Sequence, residues 1–151
     1  MKYLIYKIES QEDLETAFSI RNQVFVIEQG VDAQLERDDH DLRSAHFLAK
    51  DGDKIGGTAR FRLTEKGLKL ERFAILEAFR GKGLGKALCQ FILEYIQIQK
   101  IQDSNPEFKI PRLYLNAQIQ VVPFYEKLQF IPIGQPFQEA GIWHRKMVKE
   151  G

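Results

Sequence analysis

A chain of 151 residues, 44% hydrophobic and 28% charged, has the size and balance of one globular domain with a buried core, and a single domain over residues 1–151 is expected. A formal net charge of +1 argues against a broad electrostatic surface for nucleic acid, and a lone cysteine, Cys89, against a disulfide or a thiolate metal cluster. Met1-Lys2-Tyr3 runs straight into an alternating segment and no apolar run nears the ~20 residues that cross a bilayer, so the expectation is a cytoplasmic protein without a membrane partner.

Lys2 to Ile8 alternates as a short strand. Ser10 with Asp13 makes a helix cap, and Leu14, Ala17, Phe18, Arg21, Val24, Phe25 and Glu28 follow at helical spacing. Arg21 and Glu28 fall on that apolar stripe, either pairing at its edge or lining a pocket. Gln29 to Arg43 reads as a polar loop carrying the charge run Glu36-Arg37-Asp38-Asp39-His40-Asp41. The run lacks the spacing and glycine of a calcium loop, so it is either solvated or gathers a cationic substrate, and no metal is expected.

Ser44 to Ala49 and Lys54 to Leu63 read as strands around the hairpin signal Asp51-Gly52-Asp53. Arg60 and Arg62 share one face of the second. A third strand, Leu68 to Leu76, completes an antiparallel meander. From Leu84 the positions Ala87, Leu88, Phe91, Ile92 and Tyr95 continue one apolar stripe, and Cys89, off its centre, reads as a packed thiol. A loop at Asp103-Ser104-Asn105-Pro106 follows, then a strand Arg112 to Ala117 and a short helix Val121 to Leu128 with Pro123 in its first turn. Phe130 to Ile133 is a strand, Gln135 to Gly141 a turn, and Ile142 to Val148 a closing strand.

Between the third strand and the long helix stands Arg80-Gly81-Lys82-Gly83-Leu84-Gly85-Lys86. Glycines at alternate positions let the backbone approach a ligand, and the helix start turns its free N–H groups on the same spot, which makes an anion site suited to phosphate. A dinucleotide fingerprint needs a third glycine where Lys86 stands. A P-loop needs one more residue between Gly81 and Gly85 and a hydroxyl where Ala87 stands. Arg80, Gly83 and Gly85 do satisfy R-x-x-G-x-G after a strand and before a helix.

That pattern resembles the pyrophosphate loop of the GNAT superfamily of N-acetyltransferases, which use acetyl-CoA. The order of elements is similar to that family's over nearly the whole chain. Pro123-Phe124-Tyr125-Glu126-Lys127-Leu128-Gln129-Phe130 resembles its F-Y-E-K-x-G-F ending, with Gln129 where glycine is usual. Arg21 to Gln29, Leu70-Glu71-Arg72, Leu115 to Gln118 and Gly141-Ile142-Trp143-His144 resemble a bacterial subgroup known mostly as predicted acyltransferases. The resemblance implies an α/β (α+β) fold: a central mixed, mostly antiparallel sheet flanked by helices.

It also implies direct transfer of an acetyl group from acetyl-CoA to a primary amine of a small molecule or peptide, without a metal. The alternative is a non-catalytic acyl-CoA-binding module that senses CoA or regulates a partner. In the catalytic reading, backbone N–H groups of Gly81, Lys82, Gly83, Leu84 and Gly85 hold the pyrophosphate, with Arg80, Lys82 and Lys86 as counter-charges. Ala74, Ile75 and Leu76 lie beside the thioester, where a backbone N–H polarises its carbonyl. Tyr125 matches the tyrosine that gives the leaving thiolate its proton. Asn116 and Gln118 are candidates for CoA contact, Gln118 standing where the family often has asparagine. For the base, Glu71 comes first, read as sharing a face with Phe73 and Ile75; a salt bridge to Arg60 or Arg62 is the alternative. His144 is second, as an imidazole that titrates near neutrality, and the alternative for it is a structural role. His40 and His46 have no support beyond their chemistry. Homodimers are common in the family, although no interface pattern is legible in this chain.

Overall fold

The computed structural model describes residues 2–102 and 112–150, so the loop expected at Asp103–Pro106 lies outside the described residues. Strand β1 (Tyr3–Lys7) leads to helix α1 (Gln11–Arg21), where the Ser10 hydroxyl accepts from the Asp13 amide at 3.1 Å. From Asn22 to Glu28 the helix continues in wider π turns. The stretch read as a loop then folds into a helical turn α2 (Ala33–Glu36) and a 3₁₀ turn over Asp39–Arg43. Strands β2 (Ala45–Asp51), β3 (Lys54–Thr64) and β4 (Gly67–Ile75) form the expected meander. Helix α3 (Leu84–Gln102), strand β5 (Leu113–Gln118), helix α4 (Val122–Glu126) and strands β6 (Ile131–Glu139) and β7 (Ile142–Lys149) follow.

The sheet order is β1-β2-β3-β4-β5-β7-β6, antiparallel throughout except between β4 and β5. This is the mixed, mostly antiparallel sheet expected. One face buries Phe47, Leu70, Leu115 and Met147 against the α3 stripe of Leu84, Leu88 and Ile92. The other packs Leu48 and Ala74 under Ala17, Ile20 and Val24 of the first helix. Cys89 is fully buried, and burial pushes its thiol up to about 12, as befits a packing residue. Among the described residues no helix is long and apolar enough to cross a membrane.

Two irregularities shape the functional region. First, β4 bulges. Arg60 pairs with Glu71 and Thr58 with Ala74, so β4 spends one residue more than β3, with Arg72 at φ 61°. The extra residue reverses which side chains face which way. Glu71 therefore lies on the α1 face with Arg60, whereas Phe73 and Ile75 turn into the α3-side core. The shared face expected for these three residues is thus incorrect.

Second, β4 and β5 pair at only two positions, Leu68 with Leu113 and Lys69 with Tyr114, and then part. At their junction a Cβ on Gly67 would lie 2.1 Å from the Arg112 carbonyl oxygen, which is why glycine stands there. One further expectation is corrected at the sheet edge. Gln135 to Gly141 is not a turn; β6 runs on to Glu139 through a bulge at Gly134 (φ 73°), and the reversal is confined to Ala140 and Gly141. Pro136 is tolerated because β6 is an edge strand.

Candidate active site

The glycine turn opens directly onto α3. Gly81 and Gly83 hold φ of 75° and 89°, conformations that side chains oppose. The first helical amide to find its carbonyl is that of Ala87, which donates to Gly83 at 3.0 Å. The N–H groups of Leu84, Gly85 and Lys86 precede it and have no helical partner, so they crowd the positive end of the helix dipole. The Tyr3 hydroxyl donates to the Lys82 carbonyl and anchors the turn from β1. Arg80 reaches back instead of outward: its Nε donates to the Ile75 carbonyl at 2.8 Å, and its Nη2 pairs with Glu28 at 2.9 Å. Glu28 is therefore paired, one of the two outcomes left open for it.

A cavity of about 920 Å³ begins at this turn. Its walls include Gly81, Gly83, Gly85, Ile75 and Tyr125 from the α3 side, and Phe25, Arg62, Lys69, Glu71 and His144 from the α1 side. It therefore passes through the sheet where β4 and β5 part. Of the three residues expected beside a thioester, only Ile75 lies on its wall. Ala74 and Leu76 pack into the α1-side core, and the Leu76 amide is consumed by the Gly56 carbonyl at 2.9 Å. Leu84 and Lys86 line the cavity; Lys82 is exposed and does not.

Tyr125, on α4, is 8% exposed and wedged edge-on between Phe73, Phe124 and Phe130. Burial raises its phenol well above the ordinary range, so it stays protonated. Its hydroxyl makes no hydrogen bond to protein among the described residues, and Tyr125 borders the cavity. His144, on β7, is oriented by a 2.7 Å hydrogen bond between Nδ1 and the Ile142 carbonyl. A carbonyl can only accept, so Nδ1 carries a proton, and in the neutral ring Nε2 is the nitrogen with the lone pair. Glu139, about half exposed, lies 3.8 Å from that Nε2. The ring stacks on Phe137.

Asn116 and Gln118 stand opposite Lys146 and His144 in the β5–β7 ladder, so they share the α1 face with His144 and line the cavity there. Gln118 donates to Gln29 at 2.9 Å and accepts from Gln120 at 2.8 Å, bridging β5 to the end of the π turns. This bridge is not legible in the sequence, where Gln29 closes the Arg21 to Gln29 stretch and starts a polar loop with nothing to name its partner. His46 is buried and lies 2.9 Å from the Asp41 carbonyl; burial depresses its pKa, and it serves the fold. His40 accepts from Arg43 at 3.1 Å on the outer surface.

Glu71 sits in an ionic network. It takes Arg60 at 2.9 Å and Lys69 at 3.1 Å, and Arg62 donates to the same carboxylate. Burial pushes its pKa up, but the charges of Arg60 and Lys69 and the Arg62 hydrogen bond reverse this and hold it below the usual carboxylate range. A carboxylate so neutralised makes a poor proton acceptor, and the salt-bridge alternative is the one realised. The network continues into the 29–43 segment. Arg21, 1% exposed, holds Glu36 at 3.0 Å and Asp41 at 2.7 Å; Arg72 holds Glu36 at 2.9 Å; Arg60 holds Asp38 at 2.9 Å. The acidic run is thus neither a solvated loop nor a trap for cations: its buried carboxylates are matched by arginines from α1 and the sheet.

A mixed seven-stranded sheet parted between β4 and β5, with a helix-capped glycine turn at the gap, defines the acyl-CoA N-acyltransferase fold. The chain belongs to the GNAT acetyltransferase family: the family model described as "Acetyltransferase (GNAT) domain" matches residues 8–151. It is 34% identical to the uncharacterized N-acetyltransferase YjcF of Bacillus subtilis, over 99% of this chain and 100% of that one. The crystal structure of Escherichia coli ElaA superposes with a TM-score of 0.81 at 27% identity, covering 99% of this chain and 100% of that one. A GNAT acetyltransferase from Elizabethkingia anophelis, solved with acetyl-CoA bound, shares the fold with a TM-score of 0.69 at 14% identity, covering 97% and 95%.

Proposed function

We propose that this chain is an acetyl-CoA-dependent N-acetyltransferase that moves an acetyl group directly to the primary amine of a small molecule or peptide. One observation carries the reading: a single cavity passes through the sheet and joins the helix-capped glycine turn to Tyr125 and His144. The Elizabethkingia relative, with acetyl-CoA bound, supports the choice of donor.

The turn fits a diphosphate, because it offers three N–H groups without a helical partner, glycines with no side chain in the way, and the charge of Lys86, while Arg80 is committed to Glu28 and the Ile75 carbonyl. The donor supplies an acyl group activated as a thioester. His144 Nε2 removes the proton that an ammonium must lose before it can attack. This assigns the base role to His144 and withdraws it from Glu71. Tyr125, kept protonated by burial, offers its hydroxyl as a hydrogen-bond donor to the departing sulfur as the C–N bond forms and the C–S bond breaks, and the thiolate then takes its proton from solvent. Asn116 and Gln118, on the α1 face, meet the acceptor and the acyl end of the donor, away from its diphosphate.

Mixing the protein with acetyl-CoA and a broad panel of amines, and following free thiol, tests this. Thiol release that depends on the amine is the expected result. Tight CoA binding without release from any amine leaves the non-catalytic module standing instead. Calorimetry that detects no affinity for CoA overturns both.

A further inference from the structure

Five cations and four carboxylates meet on the α1 face: Arg21, Arg60, Arg62, Lys69 and Arg72 against Glu36, Asp38, Asp41 and Glu71. The positive excess is not shared evenly. Arg21, Arg60 and Arg72 each bridge two or more carboxylates. Among the described residues Arg62 and Lys69 have Glu71 alone, and Glu71 also answers Arg60. Both side chains are well covered, at 17% and 15% exposed, yet both line the cavity. Arg62 uses Nε on Glu71, and its two terminal nitrogens make no hydrogen bond among the described residues. A covered guanidinium with its terminal N–H groups turned loose beside an ammonium is an arrangement that binds a carboxylate in two-pronged fashion.

We propose that the acceptor carries a carboxylate in addition to its amine, and that Arg62 and Lys69 hold that carboxylate. This deepens the transferase reading and rests on it for the identity of the amine. Glu71 marks the level of the two cations, and Ile75 and Tyr125 mark the far end of the gap. The intervening stretch of β4, with one residue absorbed by the bulge, spans ~7–10 Å. Amine and carboxylate therefore stand further apart than in a free α-amino acid. ω-Amino acids and short peptides have that reach.

The test separates the carboxylate site from catalysis by using product-like amides on the full chain. Calorimetry compares N-acetyl-6-aminohexanoate and N-acetyltriglycine with the neutral N-hexylacetamide. At least one carboxylate-bearing amide is expected to bind on the order of tenfold more tightly than the neutral one, and the tighter of the two names the source of the carboxylate. Arg62→Gln and Lys69→Gln each collapse that ratio, and Arg62→Lys restores part of it. Equal affinity for charged and neutral amides, or no affinity for any of them, overturns the site. So does a ratio unchanged in both glutamine variants. Thiol release from acetyl-CoA with hexylamine but not with 6-aminohexanoate overturns the carboxylate site and leaves the transferase. Selective amide binding without thiol release from any amine does the reverse.

Discussion

In the proposed transferase Tyr125 on α4 serves the leaving sulfur and His144 on β7 serves the amine, and each role makes its own prediction. Tyr125→Phe keeps the aromatic wedge among Phe73, Phe124 and Phe130 and removes only the hydroxyl. It should lower kcat by on the order of 100-fold while CoA affinity, read by calorimetry, stays nearly unchanged; a large loss of CoA binding would make Tyr125 a cofactor contact. His144→Gln should lower kcat by on the order of 100-fold. Glu71→Gln should lower it far less, since the Glu71 carboxylate is already committed to Arg60, Arg62 and Lys69. If the larger loss comes with Glu71 instead, the assignment of the base is reversed. The place of Tyr125 on the short helix beside the cavity was legible from a motif. That of Glu71 was not, because strand alternation counted through Leu70-Glu71-Arg72-Phe73 assumes an unbroken pleat, and no residue in that run announces a bulge. An arginine at φ 61° is held by tertiary contacts with Glu36 and Asp38.

At the scale of elements, the fold was readable wherever periodicity ran unbroken: the meander, the α3 stripe, the strand–helix–strand order after it. The misses fall where the backbone departs from its period without a marker, as in the π turns of Asn22–Glu28 and the bulged edge strand β6. Gln129 is instructive in the other direction. It stands where the family motif has glycine, and its φ is 75°. An L-residue there costs ~1–2 kcal/mol, against a glycine entropy cost of ~0.5–1 kcal/mol, so Gln129→Gly should raise stability by roughly 0.5–1 kcal/mol. Thermal denaturation would read this as a rise in Tm of ~1–4 °C. Gly67→Ala should do the opposite. Its Cβ would enter the Arg112 carbonyl at the joined end of β4 and β5, just ahead of their paired residues. A loss of about 2 kcal/mol or more is expected in chemical denaturation, and a silent substitution would mean that this junction is not tightly held.

The whole molecule is tied together by charge pairs of long sequence separation, which is why the acidic run 36–41 misled the reading of its surroundings: its partners Arg21, Arg60 and Arg72 come from elsewhere in the chain. Burial alone would raise Asp41, but hydrogen bonds and charge from Arg21, then Arg60, bring it down to about 2. Asp38 and Glu71 are lowered too. Carboxylates with folded pKa values below their unfolded ones lend stability above the unfolded value, and that stability is lost as the pH falls through the folded one. Tm should therefore hold from neutrality to about pH 4 and drop steeply as the pH approaches 2. Because the pairs are covered, adding about 1 M salt at neutral pH should shift Tm little. A strong salt dependence would show the network to be solvated.

The parting of β4 from β5 opens the sheet from both sides, so donor and acceptor need not share an entrance. A chain that works this way does not have to discharge one partner before admitting the other, and initial-rate lines at varied fixed acceptor concentration should intersect rather than run parallel. The same geometry predicts how to block it. A conjugate that joins an amine acceptor to the sulfur of CoA through a short tether would thread the sheet, and its second half would engage at the high effective concentration set by the tether.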